Sequence, residues 1–249
     1  MFSTEHFIWL GICAAFIAGL MLIAKLLKLD FKKALTVALA ISFASEAFKI
    51  FTHIDDVVNE DGEIIGGVLG ANYLPLHLCS IVIFLLIYLY LTQNDAKREA
   101  VKSFVTPITI LGGTMALLIP TSGVDFLQPY AYQCFIYHAG IMWFSIYLIA
   151  TKQVNLGFKA YKRNLAVMGG LIVVMLWVNS ALHVYDTNFF FIVKPPMENL
   201  PILNLDNGWI AYFFTLVAIG LTLVTLFHLP FMIMERKADK EKRIEEATH

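Results

Sequence analysis

The stretch "LPLHLCSIVIFLLIYLYLTQNDAKREAVK" (Leu74–Lys102) decides the fold. An unbroken apolar run leads into a polar connection that carries Lys97, Arg98 and Lys102. About 20 apolar residues cross a hydrocarbon core as a helix, and only helices and closed barrels satisfy their backbone there. Six other segments read the same way. The seven candidate spans are roughly 5–28, 31–53, 74–92, 101–121, 130–151, 163–184 and 209–232. With 59% hydrophobic residues and 15% charged, the chain is too apolar for a soluble domain. The fold class is therefore an all-α membrane protein, a seven-transmembrane helix bundle. Residues 1–234 form the seven-span membrane domain, and 235–249 a charged cytoplasmic tail with helical character. A net charge of −1 gives no pull toward nucleic acid.

The basic residues orient the bundle. Lys25, Lys28, Lys32 and Lys33 fall in the first connection, and Lys97, Arg98 and Lys102 in the third. The fifth holds Lys152, Lys159, Lys162 and Arg163, and the tail five more. Of 18 basic residues, sixteen lie on one side; Lys194 lies on the other and Lys49 within a span. By the positive-inside rule the N-terminus is outside and the C-terminus cytoplasmic.

Two outer loops stand out. In 53–70, Val57-Val58 and Ile64-Ile65 flank "NEDG", which predicts a hairpin. Its acids Asp55, Asp56, Glu60, Asp61 and Glu63 lack the ligand spacing of a calcium loop and read as a solvated cluster. The loop 185–208 is aromatic and proline-containing, and reads as a cap or re-entrant segment at the outer surface, with an interfacial aromatic belt as the equal alternative.

Topology turns polar residues into a depth map. Pro75 suits the first turn of span three, which puts Cys79 about one turn, roughly 6 Å, below the surface. His138 on span five lies roughly 12 Å down. Glu46 on span two and Asn179 on span six sit at comparable depth, with His53 and His183 at the outer ends of those spans. Ionisable groups in a span default to a functional cavity facing the bundle interior. His77 and Cys79, two residues apart, face different directions on a helix, so Cys79 needs a base from another span, and His138 matches its depth. Glu46 and Lys49, three apart, could form a plain ion pair. Cys13 and Cys134 read as packing residues, His228 as interfacial, His6 as terminal and uninformative, and Gly112-Gly113 as a close-packing site. No HxxxH or CxxC spacing supports a metal site, and span seven has no lysine for a Schiff base. No cofactor is expected.

Three pieces carry a resemblance: "NYLPLHLCS" (Asn72–Ser80), "YHAGIMW" (Tyr137–Trp143) and "VNSALHVYDTNFFF" followed by "KPP" after span six. They resemble the YwaF-type bacterial integral membrane family, with eukaryotic relatives among the transmembrane acyltransferases that remodel ether phospholipids. The resemblance covers nearly the whole chain and implies a multi-pass protein of the bacterial plasma membrane. In those relatives the cysteine of the first motif carries an acyl thioester and a span-five histidine assists. The matching residues are Cys79 and His138. The implied activity is a membrane-embedded acyltransferase, or lipid hydrolase, acting on phospholipid or lysophospholipid at the outer leaflet. Glu46, Asn72, His77, Tyr137, Asn179 and His183 are the expected substrate-binding residues, with Asn72, His77, Tyr137 or Asn179 supplying an oxyanion donor. The alternative is a small-solute or proton-coupled transporter using the Glu46 and histidine cluster as a relay. The chain shows no repeat symmetry of the kind transporters often have.

Overall fold

The computed structural model describes residues 2–59, 62–197 and 200–248. Helix α1 spans Thr4–Leu26 and α2 Phe31–Thr52. Strands β1 (Ile54–Val58) and β2 (Ile64–Leu69) form an antiparallel hairpin, with Ile54 opposite Leu69. Then follow α3 (Leu78–Leu91), α4 (Asp95–Leu118), α5 (Pro129–Ala150), α6 (Phe158–Ala181) and α7 (Gly208–Thr248). Glu60 and Asp61 of the acidic cluster, and 198–199 of the aromatic loop, lie outside the described residues.

The helix starts are written locally. Ser3 accepts from the His6 N–H, Asp30 from that of Lys33 at 2.8 Å, and Asn94 from that of Lys97 at 3.0 Å. Each side chain satisfies an amide that the first turn leaves without a partner. Pro129 opens α5, where its missing N–H is harmless.

Successive helices run in opposite directions, which gives the bundle two ends. At the hairpin end, Tyr130 Oη donates to the Thr52 carbonyl and Trp9 Nε1 to that of Val124. At the opposite, basic end, Tyr147 Oη donates to the Leu29 carbonyl. The most buried helix is α5, packed against α1, α2 and α4. Glycine lets it sit that close: a Cβ on Gly140 would come within 2.7 Å of Ile41, and one on Gly113 within 2.5 Å of Met142. Between the helices pack Leu86, Leu89, Phe104, Trp143, Phe144 and Leu148. Helix α6 pairs with α7. Trp177, Phe214 and Leu226 point outward, an apolar exterior suited to hydrocarbon.

Six helices, all but α3, are long and apolar enough to cross a membrane. Helix α3 has 14 residues, about 21 Å of helix against a core of about 30 Å. The expectation that Pro75 occupies its first turn is corrected. Leu76 donates to the Leu74 carbonyl at 2.7 Å in a turn, His77 is the extended N-cap, and the helix begins at Leu78. Cys79 is therefore in the first helical turn rather than one turn below it.

A proline inside α4 has a traceable consequence. Pro107 offers no N–H to the Ser103 carbonyl four residues earlier. Asn164 of α6 donates its side-chain amide there instead, at 2.7 Å. Such re-satisfaction by a neighbouring helix is what allows proline in an apolar span.

Candidate functional site

The first turn of α3 is held from two sides. From α5, Tyr137 Oη donates to the Cys79 carbonyl at 2.6 Å. From α2, Lys49 Nζ lies 3.5 Å from Ser80 Oγ and 2.6 Å from the Glu46 carboxylate. Both charged side chains are mostly covered, at 15% and 18% exposure, so their pairing is not one that solvent would dissolve. The half-buried Cys79 thiol belongs to this first turn. The free amides there make it the positive end of α3, where developing negative charge is favoured.

His138 stands two turns and more into α5. Its Nδ1 is 2.6 Å from the Cys134 carbonyl. A carbonyl only accepts, so Nδ1 carries the proton and Nε2 keeps its lone pair. Cys134 Sγ is 3.7 Å from the same Nδ1, nearer than its reading as a plain packing residue implied. That nitrogen is already donating, so it cannot act as a base toward Cys134. No hydrogen bond joins Cys79 to His138 in this structure, and none of the described residues bonds to His138 Nε2.

The other expected site residues divide. His77 packs edge-on against Phe189, ring centroids 5.2 Å apart, and beside Phe191 at 5.5 Å. Asn179 is buried and grips the same aromatic turn. Its amide accepts from the Phe189 N–H at 2.8 Å and donates to the Phe189 carbonyl at 3.0 Å and the Met175 carbonyl at 2.9 Å. Tyr212 Oη donates to the Phe191 carbonyl and Trp209 Nε1 to that of Ile192. These clasps hold Phe190 and Phe191 at φ of 61° and 54°, a left-handed conformation costly for a bulky residue. His183 is exposed, with Nδ1 3.0 Å from the Ser180 carbonyl, and Asn72 is exposed. Ser80 and Lys49 were not singled out for the site from sequence. The signals were the adjacency of Ser80 to Cys79 and the i,i+3 spacing of Lys49 from Glu46, which the structure realises as an ion pair.

At the basic end a polar network replaces the expected interfacial His228. That histidine is fully buried, its Nδ1 2.7 Å from the Leu156 carbonyl and its Nε2 accepting from Asn164 at 3.3 Å. Arg163 reaches Ser103 in the same cluster. His6 is also fully buried, with Nε2 2.7 Å from the Leu117 carbonyl and Nδ1 accepting from the Phe2 N–H. A cavity of about 590 Å³ opens beside the connection 152–157, between Glu99, Lys102, Phe231 and Glu235. Among the described residues no group of three or more His, Cys, Asp or Glu is placed to hold a metal ion.

These observations define a helical membrane protein. The chain belongs to the TMEM164 family, whose model matches residues 1–228, a range that includes every candidate site residue. No curated protein and no solved structure matched the chain.

Proposed function

We propose that this protein is a membrane-embedded acyltransferase that acts on phospholipid or lysophospholipid through a thioester on Cys79, with His138 as the base. The observation that carries the reading is the state of His138: Nδ1 is committed to the Cys134 carbonyl, and Nε2 is left as an unengaged base. Resting sites are often looser than reacting ones, so substrate binding is assigned the closure of thiol onto imidazole. His138 takes the thiol proton, and the sulfur attacks the ester carbonyl of a phospholipid. The imidazolium then protonates the departing lysolipid oxygen, and a second lipid alcohol, or water, resolves the thioester. The aromatic turn at Phe189–Phe191, resting on His77, roofs the region through which the acyl chain enters.

In this reading the chain makes seven passes of a cell membrane. The short α3 is completed by Leu74–His77, and the hairpin end faces outward in keeping with the distribution of lysine and arginine. Labelling of Ser3→Cys with an impermeant maleimide tests the orientation. Reaction from the cytoplasmic side alone would overturn it.

Intact-protein mass spectrometry after mild detergent purification tests the chemistry. An acyl-sized adduct on Cys79 that hydroxylamine removes is the expected result. A stable Cys79→Ala variant with full phospholipid turnover would overturn the covalent route and favour water activated directly by His138.

A further inference from the structure

The proposed chemistry needs a group for the negative charge that forms on the acyl oxygen, and the four residues expected to supply it are placed elsewhere. Tyr137 gives its proton to the Cys79 carbonyl, Asn179 spends its amide on Phe189 and Met175, His77 lies among phenylalanine rings, and Asn72 is exposed. A cation stands against the first turn of α3, Lys49. Its ammonium is anchored by Glu46 at 2.6 Å and lies 3.5 Å from the hydroxyl of Ser80, the neighbour of Cys79. Lys49 and its partner Glu46 come to this turn from α2, and Tyr137 comes to it from α5.

We infer that Lys49 is the electrostatic catalytic residue of this site: it stabilises the thiolate of Cys79 and then the oxyanion of the acyl carbonyl, with Glu46 setting its position. The inference rests on the acyltransferase reading for its second half only. The first half concerns the resting thiol.

A buried ion pair is weak as a stabilising device, because desolvation of both charges offsets their attraction. Its position against the first turn of α3 is what calls for an explanation. In the reaction, the C–S bond forms as the carbonyl π pair moves to oxygen, and Lys49 donates a hydrogen bond to that oxygen. When the pair returns, the C–O bond to the lysolipid breaks and its oxygen takes the proton from His138. Lys49 neither gains nor loses a proton over the cycle. Preorganised donors of this kind contribute about 10²–10³ in rate.

The test uses the full chain in nanodiscs on a Cys13→Ser, Cys134→Ser background, so that Cys79 is the one thiol. Its alkylation by iodoacetamide is followed as a function of pH in three variants. Lys49→Gln removes the cation and should slow alkylation at pH 7 by about three- to tenfold, a shift of up to about one pH unit in the profile. Glu46→Gln leaves the cation uncompensated and should speed it, and Lys49→Arg should stay near the parent rate. Loosening of the fold would move the first two in the same direction, so opposite signs separate charge from structure. Equal rates in all variants, or a common direction, would overturn the inference. Thioester formation in a single turnover is read in parallel and should fall by about 10²–10³ in Lys49→Gln with little change in substrate affinity. Should the parent form no thioester, the acyltransferase reading falls and the opposite-sign alkylation result still decides the role of Lys49 at the thiol. Should Lys49→Gln fail to fold, the acceleration in Glu46→Gln decides it alone.

Discussion

His138 gives its Nδ1 proton to the Cys134 carbonyl at 2.6 Å, and at the other end of the bundle His228 gives its own to the Leu156 carbonyl at 2.7 Å. Both rings are thereby set in the same tautomer, with the lone pair on Nε2. At His228 that lone pair is taken by Asn164, whose second amide proton goes to the carbonyl freed by Pro107. At His138 nothing among the described residues takes it. One ring is closed into the architecture and the other is half-buried with its base unengaged. Burial of a histidine therefore says little about chemistry. The nitrogen left over after the backbone has fixed the ring is the informative quantity.

The largest expected effect breaks the open end. Cys79→Ser and His138→Ala should each reduce thioester-dependent acyl transfer, the latter by about 10²–10⁴. The double variant should be little worse than the single ones, because a nucleophile and its base act as a unit. Turnover of fluorescent phospholipid in proteoliposomes measures this, with thermal unfolding in parallel. Cys13→Ser should be silent there. Multiplicative losses in the double variant would separate the two residues and dissolve the pair.

The closed end should answer in stability instead. Asn164→Ala leaves the Ser103 carbonyl and His228 Nε2 without donors and should cost about 1–3 kcal/mol in unfolding. Acyl transfer per folded molecule should be unchanged. Pro107→Ala restores the N–H that Ser103 lacks, so the two substitutions together should cost less than their sum, by about 0.5–3 kcal/mol. Strict additivity would mean that the amide of Asn164 does not serve that carbonyl.

The contrast between the ends was only partly legible in the sequence. Hydropathy predicts seven spans, six of which are helices long and apolar enough to cross a membrane, and β-branched residues around "NEDG" predict the hairpin, because both signals are carried by the residues themselves. His6 and His228 were misread as terminal and interfacial since their partners are backbone carbonyls, Leu117 and Leu156, which no residue type advertises. Depth along a span puts Cys79 at the level of α5, and the residue of α5 that bonds there is Tyr137, through the Cys79 carbonyl. Rotation about the helix was not legible, and rotation decides that Asn179 faces Phe189. Pro107 did carry an unused signal: a proline inside a span implies a carbonyl four residues earlier that some neighbour must satisfy.

A smaller effect is expected where the open end is roofed. Asn179→Ala removes the two hydrogen bonds that its amide makes to Phe189 in the turn that holds Phe190 and Phe191 in left-handed backbone, along with one to Met175 of its own helix. The strain then relaxes locally. Amide exchange across 183–193 should accelerate while the helices keep their protection, and acyl-chain selectivity should broaden before turnover falls. Uniform acceleration over the whole chain would show that Asn179 supports the bundle and not the roof.

The smallest effect belongs to the basic end, at the start of α6. Gly157 is its N-cap and has no side chain to satisfy the first amides. The carboxylate of Glu235, from α7, does so by accepting from the Phe158 N–H at 2.8 Å. An anion at a helix N-terminus contributes about 0.3–1 kcal/mol when exposed, and this pair is exposed. Glu235→Gln should therefore cost less than about 1 kcal/mol, with the loss shrinking in high salt. Gly157→Ala tests the same contact from the other side. Its backbone is ordinary, at φ −67°, so alanine strains nothing, yet the added Cβ would collide with the Glu235 carboxylate and displace it. The two substitutions should not add, and each should speed amide exchange at Phe158 without touching that of the α3 first turn. An additive pair would mean that Gly157 is required for a reason other than making room for Glu235.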